Sequence, residues 1–310
     1  MKLKKFIAVM AALGMVASMA VGCGGSSEED TSAEGTDAAA EGEASGDWDS
    51  SMDITIVSRE DGSGTRGAFI ELFGIEEEVN GEKVDMTTEG AQITNSTSVM
   101  MTTVAGDEYA IGYVSLGTLD DSVKALKIDG AEATADNIKS GDYKVSRPFN
   151  IATKSDLNNP VADDFITFIM SQEGQEVVTA EGYIPLDGAE AYAGEAPEGK
   201  AVVGGSSSVS PLMEKLIEAY AEVNPNAEIE LQTTDSTTGM ESAISGAYDI
   251  GMASREVKDE EIAGGLEAQV IATDGIAVVV NNNNPTDELS SDQVKSIYTG
   301  EALTWDEVVE

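Results

Sequence analysis

The chain has 310 residues, 17 Lys and Arg against 58 Asp and Glu, and a formal net charge of −41. That balance excludes nucleic acid and anionic lipid surfaces as partners, but not a small anion held by local dipoles. It has no His and one Cys, Cys23, which excludes Ser-His catalysis, His- or Cys-cluster metal sites and an intrachain disulfide. The length allows two domains, each with its own core.

Met1 to Lys5 is a basic opening, and Phe6 to Val21 is an apolar stretch short for a membrane span. It ends Ala20-Val21-Gly22-Cys23, which resembles a bacterial lipobox with Ala20 where Leu is commoner. By that resemblance residues 1–22 are a lipoprotein signal peptide. Cys23 is then the lipidated first residue, holding the chain at the extracytoplasmic face of the cell membrane. A secreted chain with a free thiol is the alternative. Gly24 to Met52 has no Lys or Arg and only Trp48 as an aromatic, so residues 23–52 are expected to be a disordered acidic tether.

Ile54 to Val57 reads as a buried strand, and Ala68, Phe69, Leu72 and Phe73 recur at helical spacing up to Gly74. Between them lies Ser58-Arg59-Glu60-Asp61-Gly62-Ser63-Gly64-Thr65. A strand, a Gly/Ser loop and a helix start together point free backbone N–H groups at an anion. Gly62 and Gly64 permit close approach, Ser63 and Thr65 add hydroxyls, Arg59 offers a planar fork and Asp61 is placed to hold it. The stretch reads as an oxyanion cradle; an ordinary Asp-Gly-Ser-Gly turn is the alternative.

Val79 to Gly90 reads as turns, followed by an amphipathic helix around Val99–Val104 capped by Asn95 or Ser96. Strands are expected at Ala110–Val114, Val123–Ile128 and Asn150–Thr153, and two helices between Val161 and Ala180 that break at Ser171–Gly174. Ala189–Lys200 reads as a linker. Strand Ala201–Val203, loop Gly204–Val209 and a helix with Ser210 as cap and Pro211 first then repeat the cradle grammar. A strand at Ile229–Gln232, a short helix from Asp235 to Gly246, a strand at Asp249–Arg255 and an apolar strand at Ile276–Asn281 follow. A helix from Ser290 carries a capping box with Gln293. Asn95-Ser96-Thr97 with Met100 parallels Asp235-Ser236-Thr237 with Met240, and Ile111-Gly112 parallels Ile250-Gly251. Two halves on one plan imply two similar α/β domains with mainly parallel sheets, whose ligands gather at the carboxyl ends of strands.

Gly205 to Leu216, Asp249 to Arg255, Asp274 to Val278, Ser58 to Arg66 and Ala110 to Val114 together resemble the phosphate-binding proteins of bacterial phosphate ABC transporters. The resemblance covers essentially all of residues 53–310. It implies a type II periplasmic binding protein fold: two α/β lobes joined by a two-strand hinge near Phe149–Thr153 and Gly275–Asn281. In the family, the segment like 201–310 comes first, so this chain resembles a circular permutant with Ala189–Lys200 bridging the family's two ends. Glu310 should then lie near Asp53; a truncated or rearranged gene is the alternative. On that plan one lobe is 53–147 plus 279–310 and the other 148–278.

Carried over by position, the resemblance makes Ser208, the Val209 N–H, Ser236, Arg59, Ser63, the Gly64 N–H and Thr65 the phosphate donors, with Asp61 orienting Arg59. Ser254 stands in the site where the best-known members place an Asp, and Asp235 beside Ser236 is a candidate proton acceptor in its stead, or a plain cap. The implied function is hinge closure around inorganic phosphate by a monomer that delivers it to ABC permease subunits, with no cofactor, metal or catalysis. The alternatives are sulfate, molybdate or a phosphonate as ligand, a phosphate-ester hydrolase, and a sensor or adhesin on the same fold.

Overall fold

The computed structural model describes residues 48–309, so the expected signal peptide, Cys23 and the expected tether up to residue 47 lie outside the described residues. β1 (Thr55–Arg59) runs into α1 (Gly64–Leu72), which starts on the cap Ser63; Gly74, at φ 64°, turns the chain out of it. The stretch expected to be turns is a hairpin, β2 (Glu76–Val79) with β3 (Glu82–Asp85). Asn80 and Gly81 both take positive φ, 57° and 87°, the two-residue turn that Asn-Gly favours. β4 (Gln92–Thr94) leads to α2 (Thr97–Ala105), capped by Ser96 and not Asn95. β5 (Ala110–Ser115) is buried throughout. The single strand expected next is two fragments in different sheets, β6 (Lys124–Ala125) and β7 (Lys127–Ile128).

A short helix, α3 (Ala135–Ser140), precedes β8 (Ser146–Lys154), and α4 (Pro160–Ile169) and α5 (Gln172–Ala180) break at the cap Ser171. β9 (Gly199–Ser206), α6 (Ser210–Val223), β10 (Ala227–Thr234), α7 (Ser236–Ser245) and β11 (Ile250–Ala253) repeat the plan of the first half. Ser210 is the first residue of α6 and not its cap, so Pro211 sits second. α8 (Asp259–Ala263), β12 (Leu266–Val280), β13 (Glu288–Leu289) and α9 (Ser291–Thr299) complete the chain, the last with the expected Ser290–Gln293 capping box.

The main sheet runs β10-β9-β11-β8-β12-β5-β1-β4, with β6 beside β12. Pairing is parallel in each wing and antiparallel at its centre, where β8 and β12 join two α/β lobes. β12 pairs with β8 up to Gly275 and with β5 from Ile276 onward. The buried apolar side chains fall into two main clusters: one around Phe69, Tyr113, Val278, Tyr298 and Trp305, the other around Phe149, Phe165, Leu212, Tyr220 and Ile250. Each fully buried side chain of this size contributes about 1.5–3 kcal/mol. Val145 and Ile276 belong to the first cluster, Ala272 and Phe149 to the second. The chain therefore crosses at residues 146–148 and 273–275, a few positions before the expected hinge.

Two segments expected to be loose are held. Tyr192 OH and Glu195 N–H both donate to Asp164, and Asn224 donates to the Pro197 carbonyl, so the stretch from 189 to 200 is strapped to its lobe. Trp48 stacks on Tyr109 at 6.0 Å, and Asp306 N–H donates to the Ser50 carbonyl at 2.7 Å, so residues 48–52 belong to the fold and not to a tether. Ile54 N–H donates to the Leu303 carbonyl at 2.8 Å, which brings the last described segment against Asp53. Among the described residues no helix is long and apolar enough to cross a membrane.

Candidate functional site

β1 delivers Arg59 at its carboxyl end, 2% exposed. Its guanidinium is gripped by Glu60, with Nε and Nη2 donating to the two carboxylate oxygens at 2.7 and 2.8 Å. Nη2 also reaches across to Ser207 Oγ of the other lobe at 3.1 Å, and Nη1 to Thr97 Oγ1 at 3.5 Å. Asp61 therefore does not orient Arg59: the turn at Gly62 points its side chain outward, 98% exposed, where it meets Arg66 at 3.0 Å. Arg66 braces the loop from behind, donating to the Arg59 carbonyl at 2.8 Å and to Asp85 at 2.8 Å. Burial pushes the Asp85 carboxyl up, but hydrogen bonds from Thr87 and the charge of Arg66 outweigh it and hold the group below the usual carboxylate range. Tyr113 OH accepts from Arg59 N–H at 3.1 Å, and burial pushes this phenol up, so it stays a neutral partner.

The two Gly/Ser loops meet. Thr65 Oγ1 lies 2.8 Å from Ser208 Oγ and 3.4 Å from Ser254 Oγ, and Ser208 Oγ lies 3.1 Å from Thr97 Oγ1. Ser206 Oγ donates to Ser254 Oγ at 2.9 Å, and Ser254 N–H donates to Ser236 Oγ at 3.1 Å. Thr65, Ser208, Ser236 and Ser254 are all essentially inaccessible. Ser63 caps α1 by accepting from Arg66 N–H, which leaves its own proton to donate. The Gly64 and Thr65 N–H groups, at the first two helical positions, have no carbonyl one turn back. Gly64 has to be glycine for the lobes to come this close: a Cβ there would meet Ser236 Oγ, and Ser254 Oγ at 2.8 Å.

Four helices, α1, α2, α6 and α7, begin at this cluster, so four positive dipole ends converge on it. All four arginines of the sequence surround it as well. Arg59 and Arg66 shape the first loop, Arg147 Nη1 donates to the Ser254 carbonyl at 3.0 Å, and Arg255 Nη2 reaches Thr237 Oγ1 at 3.3 Å. Each is charge-compensated, by Glu60, Asp61 with Asp85, Asp274 and Glu261 respectively. A cavity of about 530 Å³ lined by Thr97, Ser98, Met101, Ser207 and Pro211 opens beside the cluster. A larger one, about 820 Å³, lies where Trp48 and Ser50 meet residues 306–309, and Asp287, Glu288, Asp306 and Glu307 make its lining hostile to an anion.

Two further expected roles change. Val209 N–H donates to the Ser206 carbonyl at 3.0 Å, closing the turn into α6, and is not presented to a ligand. Asp235 is the cap of α7, the alternative role expected for it: its two oxygens take the Thr238 N–H at 2.8 Å and the Thr238 hydroxyl at 2.5 Å. Thr97, Ser206, Ser207, Glu60 and Arg147 join the site without having been singled out. Ser206 and Ser207 had a signal in the Gly204–Val209 loop, and Thr97 one in its echo of Thr237. Glu60 and Arg147 had none short of three-dimensional packing.

The cluster is a hydroxyl and N–H cage suited to a tetrahedral oxyanion. Among the described residues the partners of the Thr65, Ser208, Ser236 and Ser254 hydroxyls are other hydroxyls and backbone groups, with no carboxylate or amine to serve as a base.

A family model described as a PBP superfamily domain matches residues 31–173 and 190–309. The phosphate-binding protein PstS 2 of Streptococcus agalactiae is 52% identical over 310 residues, 99% of this chain and 99% of its own. PstS 2 of Streptococcus pneumoniae is 42% identical over 309 residues, 99% of this chain and 100% of its own. Both matches run end to end, so these relatives carry their halves in the same order. The crystal structure of a phosphate-binding protein of a phosphate ABC transporter from Streptococcus pneumoniae TIGR4 is 44% identical, with a TM-score of 0.66 over 83% of this chain and 100% of its own.

Proposed function

The chain belongs to the PBP superfamily, in the family of the streptococcal phosphate-binding proteins PstS 2, and on that premise we propose that it captures inorganic phosphate between its lobes and delivers it to an ABC permease. The observation that carries this reading is the meeting of Arg59 and Thr65 with Ser207 and Ser208 across the lobe boundary. The donors are the hydroxyls of Ser63, Thr65, Ser208, Ser236 and Ser254, the N–H groups of Gly64 and Thr65, and the Arg59 guanidinium; Thr97 and Ser207 stand at the rim. Hydrogen bonds to a charged partner are worth about 1.5–3 kcal/mol each, so this set covers a micromolar affinity, about −8 kcal/mol, with excess to offset desolvation and closure. A hydrolase would need a base beside the cluster, and the partners of its hydroxyls include none.

The lobes on this reading are 53–147 plus 279–310 and 148–278. The separation of the two apolar clusters supports a two-lobe division, with Ile276, Ala277 and Val278 packing in the first cluster and so drawing the second boundary back to 273–275. The pairing of Ile54 with Leu303 supports the permuted order, because those segments would be continuous in the unpermuted family plan. Cys23 anchors the chain by lipid on the extracytoplasmic side, and the anchored protein acts as a monomer. A calorimetric panel of phosphate, sulfate, molybdate and methylphosphonate on residues 24–310 tests the ligand. Saturable one-to-one binding tightest for phosphate is expected; a tighter fit to another anion would reassign it.

A further inference from the structure

Arg147 and Asp274 face each other in register on β8 and β12, at the two points where the chain crosses between lobes. Both are sealed from solvent, 3% and 1% exposed. Arg147 Nε and Nη2 donate to Asp274 Oδ2 at 3.3 and 3.0 Å, and its Cζ lies 5.3 Å over the Phe149 ring. An ion pair between crossing strands is costly to desolvate, and an apolar pair of similar volume would pack there at less expense. The remaining nitrogen shows what this pair does beyond holding the strands: Nη1 donates to the Ser254 carbonyl at 3.0 Å. The next residue is fixed in the same way, Asn150 Nδ2 donating to the Arg255 carbonyl at 2.9 Å. β8 therefore grips the backbone on which Ser254 presents its hydroxyl to Ser206, Ser236 and Thr65.

We propose that Arg147, oriented by Asp274, is a positioning residue for anion binding: through the Ser254 carbonyl it ties the crossing strands to the hydroxyl cage, so that the lobe-to-lobe geometry and the Ser254 donor are set together. The proposal rests on the phosphate reading of the cage. Lysine cannot replace Arg147 here, since one compact ammonium cannot both meet Asp274 and reach the carbonyl in the plane of a guanidinium fork.

The test is a double-mutant cycle read by calorimetric titration with inorganic phosphate, on the unsubstituted protein, Arg147→Lys, Ser254→Ala and the double variant. Each single change is expected to weaken binding about tenfold, the scale of one hydrogen bond to a charged group. The double variant is expected to be no more than about threefold weaker than Ser254→Ala alone, because both changes remove the same donor. A purely structural Arg147 would instead give losses that multiply, and that result, or an Arg147→Lys protein binding like the unsubstituted one, overturns the proposal. If Arg147→Lys does not fold, Asp274→Asn takes its place in the cycle with the same two outcomes. Failure of the unsubstituted protein to bind phosphate overturns the phosphate reading itself, and the inference with it.

Discussion

Among the described residues Arg59 is the only arginine whose guanidinium reaches across to a loop hydroxyl of the opposite lobe, and Glu60 grips it through both oxygens. Asp61, one position on, faces water. Arg59→Lys is accordingly expected to weaken phosphate binding by roughly 10–150-fold, the loss of one charge-assisted contact of about 1.5–3 kcal/mol. Asp61→Asn should leave it within about twofold, since an exposed ion pair is worth little. Titration calorimetry on both variants checks the assignment, and a loss at Asp61 comparable with that at Arg59 would reverse it. Ser63, Gly64 and Thr65 could be singled out in the sequence because a Gly/Ser loop between strand and helix has a local signature, whereas Ser208 came from the family resemblance. Whether Glu60 or Asp61 holds the arginine depends on which side chain the turn at Gly62 throws outward, and adjacent acids look alike in a sequence. Asp235 shows the same limit: a carboxylate beside a ligand serine and a helix cap are the same residue until its hydrogen bonds are seen.

The α1 start shows how an element's end makes a site. Gly64 occupies the first position of α1, so alanine there should not harm the helix. Its Cβ would nonetheless press on Ser236 Oγ and Ser254 Oγ in the opposite lobe. Gly64→Ala is expected to keep or raise the thermal midpoint without phosphate while weakening phosphate binding roughly 5–150-fold, the scale of about 1–3 kcal/mol for overpacking. A drop in the midpoint with affinity intact would instead place Gly64 in the fold and not in the cage. The strand–loop–helix units at β1–α1 and β9–α6 were legible because apolar runs, Gly/Ser loops and helical periodicity change register at the same residues. The β2–β3 hairpin was missed because its strands are mostly charged and only Asn80-Gly81 marks it. β12 was foreseen only in its apolar second part; Glu267 to Val270 are exposed, so burial left no pattern there. The strap at 189–200 reads as a linker because Asp164, which ties it down, is far away in sequence.

At the scale of the molecule, a chain of net charge −41 gathers its four arginines and four helix starts around one small buried cluster. Long-range charge disfavours an anion, so binding has to come from short-range donors that exist together only when the lobes meet. That the halves repeat one plan was visible in the echoes between residues 95–112 and 235–251. Their approach was implied only by the family resemblance, because the residues alone do not mark the crossings at 146–148 and 273–275 on which it depends. The central claim is that one phosphate is shared between Thr65 of one lobe and Ser208 of the other. The most direct test is a calorimetric titration of inorganic phosphate against the unsubstituted protein, Thr65→Val and Ser208→Ala. One-to-one binding by the first, weakened about tenfold or more by each substitution, is the predicted result; unchanged affinity in both variants would contradict it.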